Sequence, residues 1–292
     1  MKVVVFGPQR RVGALVGDEV IDLQQPSLRT FIEGGQAALD AAQRIVDTGT
    51  REALTNLRAP WPERRIACMG GNYADHLAGM QPGGHSLEEI ARTTREGGQW
   101  GFWKVPFEVR GPDDSIAYPR RTQYFDYEAE VAIVIGRRGK DIPASAIDEF
   151  VWGVTLFNDW SIRDGMGGPK PLNYNMAKNF DGSASMGPSI VVGELDPQNV
   201  DVQTCINGQI RQQFNTRDMI FSFAEALEYL SRDFTFVPGD MIAGGTAAGT
   251  AADKTQRAPD GSRPKDLFLK VGDTVEISSP QIGTLSNRVA EA

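Results

Sequence analysis

Apolar positions along this chain recur every second residue or in short continuous runs, punctuated by glycine, proline and asparagine. That pattern predicts many short strands and few helices. Residues 3–6, 12–16 and 20–23 read as strands, with turns at Gly7-Pro8 and Gly17-Asp18. A helix is expected over about 36–47, stopped by Gly49. Ala59-Pro60-Trp61-Pro62 then makes a stiff connector. Residues 1–60 are therefore expected to form a small β-rich domain, and residues 61–292 a larger catalytic one. In the larger part, residues 65–69, 116–118, 131–135, 150–157, 189–192 and 202–206 read as strands, and Asn207-Gly208 turns the last into a hairpin with 209–214. Residues 268–277 repeat a turn and a strand. The fold class predicted is α+β, mostly β.

Two helices announce themselves by capping boxes, Ser86 with Glu89 and Ser222 with Glu225. The first, over 86–97, is poor in apolar residues and lies between glycine pairs, so it is expected to be weakly docked and to act as a lid. Gly70-Gly71 predicts a tight turn that exposes the residues after it, among them Tyr73 and His76. Residues 172–184 read as a loop carrying Lys178, and residues 250–265 as a mobile insertion.

The run Phe125-Asp126-Tyr127-Glu128-Ala129-Glu130 enters a β-branched stretch ending at Ile135, as expected of a strand buried on both faces. Alternation along a strand sets Asp126, Glu128 and Glu130 on one face. An isolated Glu-x-Glu is ordinarily a solvated edge. Here the acids abut a core, and a further carboxylate, Asp159, stands where another buried strand ends. These groups form an all-oxygen set, with no cysteine and no paired histidine, that suits Mg²⁺, Mn²⁺ or Ca²⁺ rather than zinc. Arg163 and Lys178 are candidates to hold a substrate carboxylate or a developing oxyanion. His76, one of two histidines, is the candidate base near neutral pH. The loop at Gly244-Gly245-Thr246 lacks the Gly-Lys-[Ser/Thr] of a nucleotide-binding loop. It reads instead as backbone and hydroxyl donors approaching an anionic ligand.

Composition narrows the partners. The chain has 292 residues and a formal net charge of -8, which argues against nucleic-acid binding by bulk electrostatics. No apolar run approaches the roughly 18 residues of a membrane span. The first residues read as strand and turn rather than a signal peptide. Cys68 and Cys205 sit beside apolar residues and read as reduced core thiols, so a cytoplasmic location is expected.

Six segments together resemble the fumarylacetoacetate hydrolase family: Gly71-Asn72-Tyr73-Ala74-Asp75-His76, Asp126-Tyr127-Glu128-Ala129-Glu130, Asn158-Asp159-Trp160-Ser161-Ile162-Arg163-Asp164, Ala177-Lys178-Asn179-Phe180-Asp181, Pro238-Gly239-Asp240 with Gly245-Thr246, and Ile282-Gly283-Thr284-Leu285-Ser286-Asn287. The resemblance implies a mixed β-roll catalytic domain, usually a homodimer, holding one divalent ion. It implies Glu128, Glu130 and Asp159 as ligands, with Asp126 a further acid near the metal. Arg163, Lys178, Thr246, Gly245, Tyr73 and Lys104 would serve the substrate, and His76 would activate water. The activity implied is hydrolysis of a C–C bond in a 2,4-dioxo acid. Isomerisation, hydration or decarboxylation of a 2-oxo acid through the same site is the alternative. Two positions depart from the family pattern. Gly79 stands where a glutamate often follows the histidine, and Asp164-Gly165-Met166 replaces Asp-x-Gln. Glu88 or Glu89 on the lid helix is the expected substitute acid.

Overall fold

The structure is a computed structural model, and it describes residues 1–80, 83–164, 174–193, 195–256, 258 and 263–292. Its principal sheet has eleven strands among the described residues. In spatial order these run Glu52–Ala53, Glu19–Asp22, Arg11–Val16, Lys2–Phe6, Ala184–Val192, Val151–Asp159, Ala129–Ile135, Met241–Ala243, Ile66–Gly70 and Trp100–Lys104. Leu57–Arg58 pairs additionally with Lys2–Phe6. The pairings are antiparallel except that of Met241–Ala243 with Ile66–Gly70. A second sheet runs Gln209–Asn215, Asp201–Ile206, Thr274–Ser279, Gly283–Ala290 and Ser115–Ala117. The molecule is mostly β, as the pattern predicts.

Strand alternation sorts the buried residues into two cores. Val131, Ile133 and Ile135 point one way, onto Val202, Ile206, Val275 and Ile277 of the second sheet and Leu227 of the helix Phe223–Ser231. Ala132 and Val134 point the other way, onto Val3, Val5, Phe31, Ile32 and Trp152. All seven residues of Ala129–Ile135 are buried. A continuous apolar run is what such a two-sided position selects. Each fully buried aliphatic side chain contributes about 1.5–3 kcal/mol. The main chain of this strand is thus held rigidly up to its first residue.

The first strand pairs with Ala184–Val192 through Lys2↔Val191 and Val3↔Ile190. The principal sheet therefore runs on through the expected division at residues 60 and 61. The helix expected near 36–47 is Gly35–Thr48, ended by Gly49, and a shorter helix, Leu28–Glu33, precedes it.

Three segments differ from their sequence reading. The acid strand is interrupted: Phe125–Asp126 pairs with Ser161–Ile162, and the ladder resumes only at Ala129. The residues after Gly70-Gly71 are not an exposed turn but the helix Ala74–Met80, which buries His76. Within the expected insertion, Ala251–Lys254 is a helix with Ala251, Ala252 and Asp253 buried. Residues 257 and 259–262 lie outside the described residues, as do 165–173. The latter include Gly165 and Met166 of the altered motif.

Candidate active site and acid cluster

Strand register brings the acids together. Ala129 pairs with Asn158 in an antiparallel ladder, so the residue before Ala129 meets the residue after Asn158. Glu128 and Asp159 therefore face each other, and the Asp159 N–H donates to the Glu128 carbonyl at 3.0 Å. Glu130 lies two residues along from Glu128, on the same face. Carboxylate oxygens of Glu128, Glu130 and Asp159 all lie within 4.8 Å of one another, and all three residues are buried. Asp126 is not part of this group. Its carboxylate accepts from the Ala251 and Ala252 N–H groups at 2.9 and 3.0 Å and from Arg163 Nε at 3.0 Å.

Three buried cations answer these charges. Arg163 bridges Asp126 and Glu128. Lys178, in the helix Tyr174–Lys178 rather than a loop, pairs with Glu128, reaches Asp159 at 2.7 Å and donates to Ser161 Oγ at 2.7 Å. Its three ammonium protons are all committed. Lys104 pairs with the other Asp159 oxygen and donates to the Lys178 carbonyl at 2.6 Å. Burial alone would raise the Glu128 carboxyl, but Arg163 and Lys178 outweigh it and hold the group ionised, below the ordinary range. Burial would lower Lys178, yet Asp159 and Glu128 raise it above the usual ammonium value.

Glu130 is the exception. Among the described residues it makes no ion pair; one oxygen accepts the Gly245 N–H at 2.9 Å. Burial first, then Asp159 and Glu128, push its carboxyl well above the ordinary value. Four acids beside three cations leave Glu130 with no counter-charge, so a negative charge on it is costly there. A hard divalent cation bound by three oxygens would satisfy that charge, so this residue set fits one.

Glu128 and Glu130 line one cavity of about 320 Å³ with His76, Arg163, Lys178 and Thr246, and with an aromatic wall of Trp100, Phe102 and Tyr174. His76 is positioned by a carboxylate that the sequence reading missed. Its Nδ1 lies 2.8 Å from Asp253 Oδ2. Asp253 caps its own helix, its carboxylate accepting from the Gly249 and Thr250 N–H groups and the Thr250 hydroxyl. That network fixes Asp253, and Asp253 fixes the ring, leaving Nε2 for the cavity. The departure at Gly79 belongs to the same arrangement. A Cβ on Gly79 would meet Asp253 Cβ at 2.6 Å and the Asp253 carbonyl at 2.7 Å. The position cannot hold a side chain while Asp253 occupies its place. A Thr-x-x-Asp capping box at 250–253 was the sequence signal for this helix.

Several expected residues lie elsewhere. Glu89 pairs with His85 at 3.1 Å and Glu88 is exposed, so neither reaches His76. Their helix, Leu87–Gly97, buries no residue and is tied by Arg95 to Glu225 at 2.9 Å. Lys104 is sealed behind Asp159 and Tyr73 packs edge-on against Phe214; neither lines the cavity. Gly245 spends its N–H on Glu130. Thr246 does line the cavity.

Gly79→Ala and Asp253→Asn should each lower turnover on the order of 10²-fold, the lower end of what a positioned acid–base group supplies. Initial rates beside melting curves check this. Rates within twofold of the parent, with Asp253 displaced in a crystal structure of Gly79→Ala, would contradict it.

Residues 65–290 match the family described as fumarylacetoacetate (FAA) hydrolase, C-terminal. Oxaloacetate tautomerase fahd2, mitochondrial, from Xenopus laevis is 31% identical over 307 residues, covering 99% of this chain and 90% of that protein. Fumarylacetoacetate hydrolase (EaFAH) from Exiguobacterium antarcticum is 30% identical, with a TM-score of 0.79 over the whole of both chains. A 5-carboxymethyl-2-hydroxymuconate delta-isomerase from Mycobacterium smegmatis is 26% identical, with a TM-score of 0.72 over the whole of both chains. Among the described residues no helix is long and apolar enough to cross a membrane. With a family match over residues 65–290 and a matching fold along its full length, this chain belongs to the fumarylacetoacetate hydrolase family and is an enzyme of that family.

Proposed function

We propose that this enzyme moves a proton at the carbon beside the 2-oxo group of a 2-oxo acid, interconverting its keto and enol forms. One observation carries the reading: the His76–Asp253 pair shares a cavity with an acid cluster that lacks one compensating positive charge. Arg163 and Lys178 are held protonated and Glu128 ionised. The His76 ring, anchored through Nδ1 by Asp253, keeps its other nitrogen for proton exchange with the substrate. The enol loses its hydroxyl proton and gains one at carbon, and His76 carries out that exchange. The tautomerase name of the Xenopus relative supports the same chemistry.

Glu128, Glu130 and Asp159 would hold Mg²⁺, Mn²⁺ or Ca²⁺, which would act as a Lewis acid on the substrate's oxygens. Lys178 pairs with Glu128 and Asp159, the same acids that would hold the cation, and its ammonium would then be available to the substrate. Arg163 keeps its two acids and supplies a fixed positive field for a carboxylate or enolate oxygen.

A second reading is hydrolysis of a C–C bond in a 2,4-dioxo acid, which the hydrolase name of the Exiguobacterium protein supports. Asp253 favours it, because it orients the histidine although position 79 is glycine, and an oriented histidine can activate water.

Two experiments follow. Mg²⁺ or Mn²⁺ at a hundred times its Kd should stabilise chelator-treated protein by about 2.7 kcal/mol. Glu130→Gln, which strands no cation, should abolish that gain in a melting experiment. An equal gain in the variant would remove the cation from these acids. Decay of enol-oxaloacetate and cleavage of an acylpyruvate should then be followed with the same preparation. Accelerated decay without cleavage supports proton transfer; rapid release of a carboxylic acid and pyruvate would establish the hydrolase instead.

A further inference from the structure

Gln212 is a buried amide in the strand Gln209–Asn215, outside the cavity, and every one of its hydrogen-bonding positions is used. Its Oε1 accepts the Ala129 N–H at 3.3 Å and lies 3.1 Å from Thr204 Oγ1. Its Nε2 donates to the Ala247 carbonyl at 2.9 Å and to Thr246 Oγ1 at 2.8 Å. Two of these partners have no choice of role. A backbone N–H only donates and a backbone carbonyl only accepts, so the amide cannot be turned round. Thr246 Oγ1 must therefore accept from Gln212. A hydroxyl has one proton, and that of Thr246 is left over, on a side chain that lines the cavity.

We infer that Gln212 is a positioning residue that sets the polarity of Thr246, presenting its hydroxyl to the cavity as a donor for a carboxylate oxygen of the substrate. The inference rests on the proposed reading that the cavity takes a 2-oxo acid. The donor has a use there, because the neighbouring Gly245 N–H is already spent on Glu130. Ala129, whose N–H orients the amide, stands between Glu128 and Glu130. The same amide thus ties the acid cluster to the anion donor. If the amide is lost, the buried Ala247 carbonyl loses its donor and the Thr246 hydroxyl is released to take that place. Both oxygens lie within 2.9 Å of Gln212 Nε2. The hydroxyl then turns inward and the cavity meets a lone pair.

The test is a double-mutant cycle read by calorimetry, titrating oxalate into the Mg²⁺-loaded protein. Gln212→Met removes the amide without adding charge. A hydrogen bond to a charged group is worth about a 10- to 100-fold change in affinity, and Gln212→Met should weaken oxalate by about that factor. Thr246→Val should weaken it similarly, and the double variant should be no weaker than Thr246→Val alone. Thr246→Ser should bind as the parent does. If Gln212→Met fails to fold, Gln212→Glu in the parent and Thr246→Val backgrounds carries the same comparison. The effect of its added charge is common to both backgrounds and cancels. Losses that multiply in the double variant, or an unchanged affinity in Gln212→Met, would overturn the inference. An unchanged affinity in Thr246→Val would instead overturn the reading of the cavity on which it rests.

Discussion

The organising constraint is the burial of unequal charge at the end of one β-ladder. Antiparallel register places Glu128 opposite Asp159, and alternation adds Glu130. The rest of the site answers that cost. Arg163, Lys178 and Lys104 arrive from three separate segments, and each is buried against an acid. Like-charged carboxylates this close would drive one another to protonate. Glu128 is protected by two cations, and Glu130 is not. The imbalance makes the cluster a receptor for a cation rather than a closed ion-pair network. It also explains why the strand behind it is apolar on both faces: the acids need a support that does not yield.

Asp126 connects this cluster to the acid–base pair. It grips Arg163 with one oxygen and the start of Ala251–Lys254 with both, and that helix carries Asp253. The charged floor of the cavity and the histidine on its wall therefore share one carboxylate. Gly79 completes the arrangement by leaving room for Asp253. The histidine partner comes from a different segment than the family's usual spacing suggests.

The acid cluster was legible in the sequence because its logic is local. Period-two alternation beside an apolar run implies acids on one face, and a polar break after a buried strand marks Asp159. The interruption at residues 127–128 was not legible, since Tyr127 fits a strand by propensity but donates its hydroxyl to the Gly249 carbonyl instead. Asp253 was missed because residues 250–265 are polar and contain glycine and proline, which outweighed a short capping box. Its packing on Gly79 is a contact between segments far apart in the chain, and no periodicity encodes it. Lys104 sits in an aromatic run that does border the cavity, through Trp100 and Phe102. Its own side chain shares their face but lies further along the strand, buried against Asp159. The small N-terminal part reads as separate because a Pro-rich connector follows it, yet strand pairing joins it to the main sheet.

In the function we propose, His76, held by Asp253, exchanges a proton with the carbon beside a 2-oxo group. Proton NMR of 2-oxobutanoate in D₂O measures that step without any bond being cleaved. The Mg²⁺-loaded protein should speed loss of the C3 proton signal far above the buffer rate, and His76→Ala should abolish the acceleration. An acid that binds in the cavity while its C3 protons exchange no faster than in buffer would contradict it.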